Sequence, residues 1–325
     1  MTISDERPAI PNDPAYSDIK KFISYLKGDK NDQEAMSIPV TITNHIIDKI
    51  QALSPIKAIS RVTTTSSDRL DVVIDSNDSD ESGWVTNEII RGDELATISK
   101  ISIHLHQLFA KPKVSHSLLD DHSIKVEEFI KDKITTQMAA SENKSFLFGD
   151  GVNQPKGILS YEVSTEGPQA QQIEGIVGGK LGEIQDCSKI VELMELLPSK
   201  YLCGATWIMS RNAASHIRTI KDETTRRFLW QNSIAHGVPD TLLGYPVVIC
   251  DDMPKVSEKT ETKCVPVLFA NLYEGYHIAE KPNITILKDP YNSKPFIEFY
   301  ATKRIGGDVV NFNAIKALVL QGADD

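Results

Sequence analysis

Apolar residues repeat at helical spacing over one long stretch of the chain, between about residues 121 and 147. They recur at four-residue steps, at Val126, Ile130, Ile134 and Met138. This spacing is typical of one buried face of an α-helix. The pattern predicts a helix of roughly 25 residues, about 37 Å long at 1.5 Å per residue, which is long for a globular protein.

The predicted helix is followed by a Gly-rich segment, Gly149-Asp-Gly-Val-Asn-Gln-Pro-Lys-Gly157. Gly149 and Gly151 suit backbone angles with φ > 0, which residues with a side chain avoid. Asp150 can bond amides of the same turn. Pro155 ends any helical continuation because it has no N–H. We therefore predict a tight turn at 149–151 and a corner at 155–157.

Two β-prone segments flank a polar run earlier in the chain. Leu70-Asp-Val-Val-Ile74 and Trp84-Val-Thr-Asn-Glu-Ile-Ile90 are predicted strands, and 76–83 lacks apolar side chains, which favours a loop. This two-stranded ribbon has too little apolar content for a core of its own, and such a ribbon is marginal in water. It must pack either on this chain or on a neighbouring one.

The remaining pattern mixes strands and short helices, which predicts an α+β fold. Lys100 to Ala110 is predicted as one half-buried strand. A second unit begins near Ile184 and contains short helices and buried strands. Ile284–Leu287 and Phe296–Arg304 are predicted to form a hairpin that ends at Gly306-Gly307, before a last strand at 314–320.

Composition narrows the functional class only in part. The chain has 325 residues, a net charge of −10, 40% apolar and 25% charged residues, as in ordinary globular proteins. It contains no membrane-length apolar run and no secretory signal at its N-terminus. The acidic balance argues against a dedicated nucleic-acid binder, yet it is compatible with a protein that encloses nucleic acid without gripping it.

Metal or thiol chemistry has weak support in the sequence. The four cysteines, Cys187, Cys203, Cys250 and Cys264, form no C-x-x-C pair, so reduced core residues are expected. His104 and His106 share a strand face, but no carboxylate or Cys lies at a matching short offset. The acidic run from Asp75 to Glu81 has a spacing unlike an EF-hand, although Ca²⁺ is conceivable there.

Known catalytic and nucleotide-binding motifs are also absent. Gly149-Asp-Gly151 with Gly157 lacks the spacing and the strand-before-helix order of a dinucleotide loop. Gly178-Gly-Lys180 is followed by Leu181, so the P-loop pattern fails. Ser115, His116, Ser117, Asp120 and His122 cluster in sequence, but no G-x-S-x-G elbow positions a nucleophile. We predict no catalytic residue, no cofactor and no metal site.

Several segments, in a fixed order, resemble the major capsid proteins of tailed phages. They are Trp84–Glu88, Leu108–Asp120, Gly149–Leu159, Trp207–Ala213, Leu243–Val247, Asp251–Pro254, Arg304–Val310 and Ala314–Leu320. The resemblance covers about residues 56 to 320. It implies the Hong Kong 97-type fold, in which the corner after the long helix, at Gly149, Asp150, Gly151, Pro155 and Gly157, is structural.

The resemblance also implies a domain plan and partners. The expected parts are an N-terminal arm (1–55), an extended β-ribbon loop (56–100), a peripheral domain with the long spine helix (101–183 and 280–310) and an axial domain (184–279 and 311–325). The ribbon would lie on an adjacent subunit through Leu70, Val72, Ile74, Trp84, Val85 and Glu88. Copies of the chain would form pentamers and hexamers of a virion capsid assembled in the bacterial cytoplasm, around double-stranded DNA that they do not recognise specifically.

Two departures from the family pattern change these expectations. The residues before the ribbon show no long heptad run, so scaffolding is expected from a separate protein or from a segment already removed. A protease and a portal are further expected partners, and no membrane is. The interval between Lys57 and Lys100 contains no lysine, so we predict no covalent cross-link of the kind that uses a ribbon lysine.

Three functions remain in competition at this point. The first is the shell protein of a tailed phage, a prophage or a gene transfer agent. The second is an encapsulin-like compartment of the same fold that encloses cargo enzymes. The third is an enzyme whose site has no recognised motif. Particle morphology separates the third from the others, and the DNA content of the particles separates the first two.

Overall fold

The computed structural model describes residues 36–37, 49–50, 53–75, 98–115, 126–167, 171–184, 186–220, 230, 240–256 and 263–322. The helices are α1 (Pro55–Ile59), α2 (Val126–Phe148), α3 (Cys187–Glu195), α4 (Ser199–Leu202), α5 (Arg211–Thr219) and α6 (Leu272–Gly275), with 3-10 turns at Ile158–Ser160 and Phe312–Ala314. No described helix has the length and apolar character needed to cross a bilayer.

The strands in chain order are β1 (Met36–Ser37), β2 (Arg61–Thr64), β3 (Arg69–Asp75), β4 (Ile98–His104), β5 (His106–Ala110), β6 (Lys113–Ser115), β7 (Val163–Ser164), β8 (Ile173–Lys180), β9 (Thr206–Met209), β10 (Thr241–Leu242), β11 (Tyr245–Ile249), β12 (Lys263–Ala270), β13 (Tyr276–Glu280), β14 (Thr285–Asp289), β15 (Phe296–Val309) and β16 (Ile315–Gln321). The chain folds into two compact units. Unit 1 takes 1–54, 107–142 and 281–304, and unit 2 takes 55–106, 143–280 and 305–325.

In unit 1 a helix packs on one face of an antiparallel sheet. β14 pairs with the first part of β15, β1 pairs with β14, and β6 pairs with the start of β15. Ile130, Ile134 and Met138 of α2 are buried against Phe299 and Ala301 of β15, because the four-residue repeat places them on one side of the helix.

Unit 2 is built around a mixed sheet with the strand order β10-β11-β9-β12-β16-β8-β7. β16 lies near its centre, antiparallel to β12 and parallel to β8. Six of its seven residues are buried, which explains its continuous apolar sequence. Elsewhere in this unit the end of β15 pairs with β13, which is parallel to β2.

The structure confirms several predicted elements and corrects others. Within the described residues α2 spans Val126–Phe148, against the predicted 121–147. The predicted strand from Lys100 to Ala110 is two strands, which break at Leu105 and pair with different partners. Gly306-Gly307 was expected to end the hairpin strand, but β15 continues through both glycines to Val309.

The reason for this continuation is close packing at both glycines. A Cβ atom on Gly306 would lie 2.2 Å from the backbone oxygen of His104, and one on Gly307 would lie 2.6 Å from the hydroxyl of Tyr276. Glycine inside a strand often marks such a close approach. Glycine at these two positions therefore allows His104 and Tyr276 to pack closely against β15, and the strand is not interrupted.

Candidate functional site

The corner that follows α2, residues 149–157, is closed by backbone contacts. The amide of Gly149 donates to the carbonyl of Ser145 at 2.9 Å, and the amide of Gly157 donates to the carbonyl of Gly149 at 2.9 Å. A Cβ atom on Gly149 would lie 1.8 Å from the oxygen of Pro155. The end of the helix is thus locked onto the returning chain with no space for a side chain.

Gly149 differs from the sequence prediction in its backbone angle. Of the two glycines predicted to have φ > 0, Gly151 has φ 77° and Gly149 lies outside the left-handed region. Glycine is therefore required at position 149 because a Cβ atom has no space there, and at position 151 because the backbone has a positive φ. Asp150 accepts from the amide of Val152 at 3.0 Å, as expected of a turn aspartate, and this bond lowers the pKa of its carboxyl.

The second half of the corner is pinned to β15 and β13. A Cβ atom on Gly157 would lie 2.5 Å from the backbone of Leu147. The amide of Lys156 donates to the carbonyl of Gly307 at 2.9 Å, and the buried hydroxyl of Tyr276 donates to the carbonyl of Lys156 at 2.8 Å. Pro155 itself is buried.

A polar pair lies beside the corner. The hydroxyl of Tyr161 donates to a carboxylate oxygen of Asp308 at 2.6 Å, and the ammonium of Lys156 lies 3.9 Å from the centre of the Tyr161 ring. Burial raises the pKa of Asp308, against the lowering effect of the Tyr161 bond. Burial and the neighbouring Asp308 raise the pKa of Tyr161. Burial thus disfavours the charged form of both groups.

The ribbon root is a separate two-stranded sheet. β3 pairs antiparallel with β4 from Arg69 opposite His104 to Asp75 opposite Ile98. The predicted pairing of 70–74 with 84–90 is therefore wrong, since 70–74 pairs with 99–103. Among the described strands no third one joins this sheet. Trp84, Val85 and Glu88, the outer predicted ribbon residues, lie outside the described residues.

The two faces of the ribbon root differ in polarity. Leu70 and Val72 lie opposite Ile103 and Ile101, and Ile74 follows on the same face. Alternation in a strand places these apolar side chains together. Leu70, Val72 and Ile74 remain partly exposed, so the apolar face is incompletely covered in the isolated chain.

The opposite face of the ribbon root carries a network of charged and polar side chains. Asp71 contacts Arg69 at 3.1 Å and Lys100 at 2.9 Å, and it accepts from the hydroxyl of Ser102 at 2.7 Å. The Lys100 and Ser102 bonds lower the pKa of Asp71. This polar network favours solvent on that face and leaves the apolar face for contacts.

A buried ion pair that sequence reasoning missed joins α1, which precedes the ribbon root in the chain, to β13. Lys57 of α1 contacts Glu280 of β13 at 2.6 Å, with side-chain exposures of 1% and 6%. The partners are more than two hundred positions apart, so no local spacing signals them. A buried pair of this kind is costly to break from one side.

The other candidate chemistry from the sequence gains no geometric support. His104 ends β4 and His106 begins β5, so they do not share one strand, and burial lowers the pKa of His106. In the described part of the chain no three His, Cys, Asp or Glu side chains converge as metal ligands. His116, Ser117, Asp120 and His122 lie outside that part.

The cysteines divide by environment. Cys250 and Cys264 are buried and form no disulfide, as expected of reduced core residues, whereas Cys203 is exposed, which contradicts the prediction of a core residue. Cys203 follows α4 directly, at the end of a short surface helix. The side chain of Cys187 is not described.

The chain was compared with protein families and with solved structures. The model of the phage capsid family matches residues 34–320. The capsid protein of an empty gene transfer agent particle, computed with C5 symmetry, is 34% identical, with 83% of this chain and 90% of that chain covered and a TM-score of 0.70. The native particle gives 33% identity, coverages of 83% and 91%, and a TM-score of 0.71.

More distant solved structures share the fold. A Gordonia phage Cozz protein is 11% identical over 84% of this chain and 87% of that chain, with a TM-score of 0.54. No protein of curated function matches the chain. The family match spans most of the sequence, and the fold agrees with that of the solved capsids. The chain therefore belongs to the phage capsid family and has its Hong Kong 97-type α+β fold.

Proposed function

We propose that this chain is the major shell subunit of a tailed phage, a prophage or a gene transfer agent, and that copies of it build a closed icosahedral head around double-stranded DNA. The match of 33–34% identity to gene transfer agent capsids over 83% of the chain carries this proposal. The head is built from pentamers and hexamers of this chain, and it is assembled in the bacterial cytoplasm. A separate scaffolding protein, a protease and a portal act with it.

The domain plan of the shell subunit follows the family. The arm is 1–55, the ribbon loop 56–100, the peripheral domain 101–183 with 280–310, and the axial domain 184–279 with 311–325. The corner residues Gly149, Asp150, Gly151, Pro155 and Gly157 serve as a rigid structural joint, since their contacts are with the backbone of the same chain. The chain acts as a structural protein and not as an enzyme, without cofactor or metal.

The ribbon is the element that this proposal assigns to contacts between copies. Its partly exposed apolar face, with Leu70, Val72 and Ile74, supports this role. Apolar surface left open in one copy is buried favourably against another. Trp84, Val85 and Glu88 extend the same segment in sequence.

Electron microscopy of the purified protein tests the central claim. The expected result is closed shells or capsomer rings, and nuclease-protected DNA in particles from cells that express the whole gene set. Small monodisperse particles at high protein concentration would refute a shell function. Shells that retain protein cargo and no DNA under the same conditions would instead favour the encapsulin-like function.

A ribbon truncation tests the role of that element. We would replace residues 76–97 with an Asn-Gly turn, which joins Asp75 to Ile98 and keeps the β3–β4 pairing. The expected subunit melts at nearly the wild-type temperature but builds no stable shell. Normal shells from this variant would remove the assigned role of the ribbon.

Cross-linking is tested by a denaturing gel of intact shells. Since the interval between Lys57 and Lys100 contains no lysine, the expected result is a single monomer band. A ladder of multimers that survives denaturation would show that another residue forms the bond.

A further inference from the structure

The strand β2 lies at the base of the ribbon, at the edge of its sheet. It pairs in parallel with β13 from Arg61 to Thr64, and it is the last strand on that side of the sheet in the described part of the chain. After a short turn the ribbon root follows, because β3 begins at Arg69. The contacts between β2 and β13 therefore determine how firmly the base of the ribbon is held.

Side-chain contacts join the segment from α1 to β2 to both faces of β13. On one face Oγ1 of Thr63 lies 2.7 Å from Nε2 of His277, and His277 is 8% exposed. On the other face Glu280 contacts Lys57 of α1, since positions 277 and 280 of a strand point to opposite sides. Histidine is the side chain that ordinarily changes its charge between pH 5 and 8. The contact at His277 can therefore respond to pH in that range.

The charged side chain that β2 places opposite His277 is Arg61. Its guanidinium lies 5.9 Å from the centre of the Tyr273 ring of α6. Burial lowers the pKa of His277, and the positive charge of Arg61 lowers it further. A protonated ring would place a second positive charge beside Arg61, where water has little access. The neutral ring is therefore the form that fits the docked strand.

The neighbouring carboxylates do not reverse this preference. Asp308 of β15 is the register partner of His277 on the other side of β13. Its carboxylate accepts from the hydroxyl of Tyr161 at 2.6 Å and from the amide of Val309 at 2.8 Å, and burial raises the pKa of this carboxyl. The charged residues of α6, α1 and β13 itself are Glu274, Lys57 and Glu280. With all of these groups in place the pKa of His277 is still lowered.

We infer that Thr63 and His277 form an acid-sensitive clasp, which holds β2 on β13 while the imidazole is neutral and loosens this contact once the imidazole is protonated. The base of the ribbon is thus held less firmly in acid. Protonated His277 gains water when the edge strand separates from it, and its distance from Arg61 increases. The clasp lies within one subunit, so the inference does not depend on the proposed shell function.

The direction of the pH effect follows from proton linkage. The docked strand lowers the pKa of His277 below its ordinary value of 6.5, so the detached state binds the proton more readily than the docked state. The contribution of His277 to docking is therefore complete above the ordinary pKa and is lost as the pH falls below it. Docking of β2 should weaken on acidification and recover when the pH is raised again.

Hydrogen exchange of the full-length chain tests the inference, with the protein kept as dissociated subunits. Exchange is followed at the amides of 61–65 between about pH 8 and about pH 5, and each rate is divided by the intrinsic rate at that pH. We expect the protection of these amides to fall about fivefold in acid, which corresponds to about 1 kcal/mol. The amides of β12, in the mixed sheet, should change by less than about twofold. Constant protection of 61–65, or an equal loss in β12, would overturn the inference.

Substitution of each group assigns the effect to the clasp. His277→Gln keeps a side-chain amide that can bond Thr63 and removes the titrating ring, so the protection of 61–65 should no longer depend on pH. Arg61→Gln removes the neighbouring positive charge and should reduce the loss in acid to about twofold. A fivefold loss that persists in His277→Gln would show that another group titrates, and would overturn the inference.

His216→Gln is the matched control, because it removes another histidine of the same unit, on α5. This variant should keep the full loss of protection in acid, and a constant protection in it would overturn the inference. Thr63→Val tests the other half of the clasp without a change at the histidine. It removes the hydroxyl and should lower the protection of 61–65 about fivefold at about pH 8. Unchanged protection in Thr63→Val would also overturn the inference. Melting temperatures within a few degrees of wild type confirm that each variant folds.

Discussion

Gly149→Ala is the substitution for which the structure gives the sharpest expectation. The added methyl would lie 1.8 Å from the oxygen of Pro155 and 2.6 Å from that of Ser145. Both atoms belong to the backbone, so no side-chain rotation relieves the overlap. Relief requires the end of α2 and the returning chain to separate, which breaks the 2.9 Å bond from the amide of Gly157 to the carbonyl of Gly149.

The expected magnitude follows from these two costs. Overpacking a rigid site costs typically 1–3 kcal/mol, and a lost buried hydrogen bond leaves unsatisfied groups that cost about 1–3 kcal/mol. We expect Gly149→Ala to lower the free energy of unfolding by about 3 kcal/mol or more. Gly157→Ala should be similar, since its Cβ atom would lie 2.5 Å from the backbone of Leu147.

Gly151→Ala is the matched control within the same corner. Its φ of 77° penalises any L residue by roughly 1–2 kcal/mol, but its Cβ atom would meet only the side chain of Lys156, at 3.2 Å. Urea unfolding of assembly-incompetent subunits, followed by circular dichroism, measures all three variants. A cost for Gly149→Ala no larger than that of Gly151→Ala would refute the close-packed account of the corner.

Other substitutions test neighbouring contacts. Asp308→Asn should keep an acceptor for Tyr161 and remove a pH effect. Burial raises the pKa of the Asp308 carboxyl in the folded chain above its ordinary value of 3.8, so the wild type loses stability as the pH rises from the unfolded-state pKa through the folded-state pKa. The variant should not show this slope in melting temperature. Lys57→Met should cost about 3–5 kcal/mol in urea unfolding because Glu280 keeps a buried charge, and adding Glu280→Gln should recover part of that. Tyr276→Phe removes the donor to the corner carbonyl and should cost about 1–3 kcal/mol; an effect below about 0.5 kcal/mol would contradict that bond.

Periodic patterns predicted the elements whose packing is local. The four-residue repeat of α2 and the hairpin of β14 with β15 were visible in the sequence, because each element buries one regular face. The last strand, β16, was visible because it is buried on both sides and nearly every residue is apolar. Its pairing with β8 and β12 joins distant segments, so no sequence pattern indicated it.

Contacts between distant segments account for the errors. Gly306 and Gly307 resemble a strand break in sequence, and only the positions of His104 and Tyr276 show why glycine stands there. The ribbon pairing was assigned to the nearer segment at 84–90, whereas β3 pairs with β4. Strand register depends on long-range pairing that alternation alone does not specify.

The residue that caps the N-terminus of α5 also could not be chosen from the sequence alone. Ser210 and Asn212 are both residue types that cap helices, and Ser210 occupies the N-cap position of α5 and accepts from the amide of Ala213 at 3.2 Å. Asn212 instead accepts from the amide of Val256 at 3.0 Å. Both residue types cap helices well, so the choice depends on where the preceding strand, β9, ends.

The corner and the apolar face of the ribbon root should therefore fail in different ways when they are altered. The corner is filled by backbone atoms of its own chain, so changes there lower the stability of the subunit before any assembly takes place. Leu70, Val72 and Ile74 are partly exposed on the ribbon root, so we expect their replacement to cost the folded monomer less than a change in the corner does and to act on contacts with other copies. We therefore expect stability of the subunit and assembly of the shell to depend on separate residues, and a variant of the ribbon root that lost both to the same degree would show that this separation does not hold.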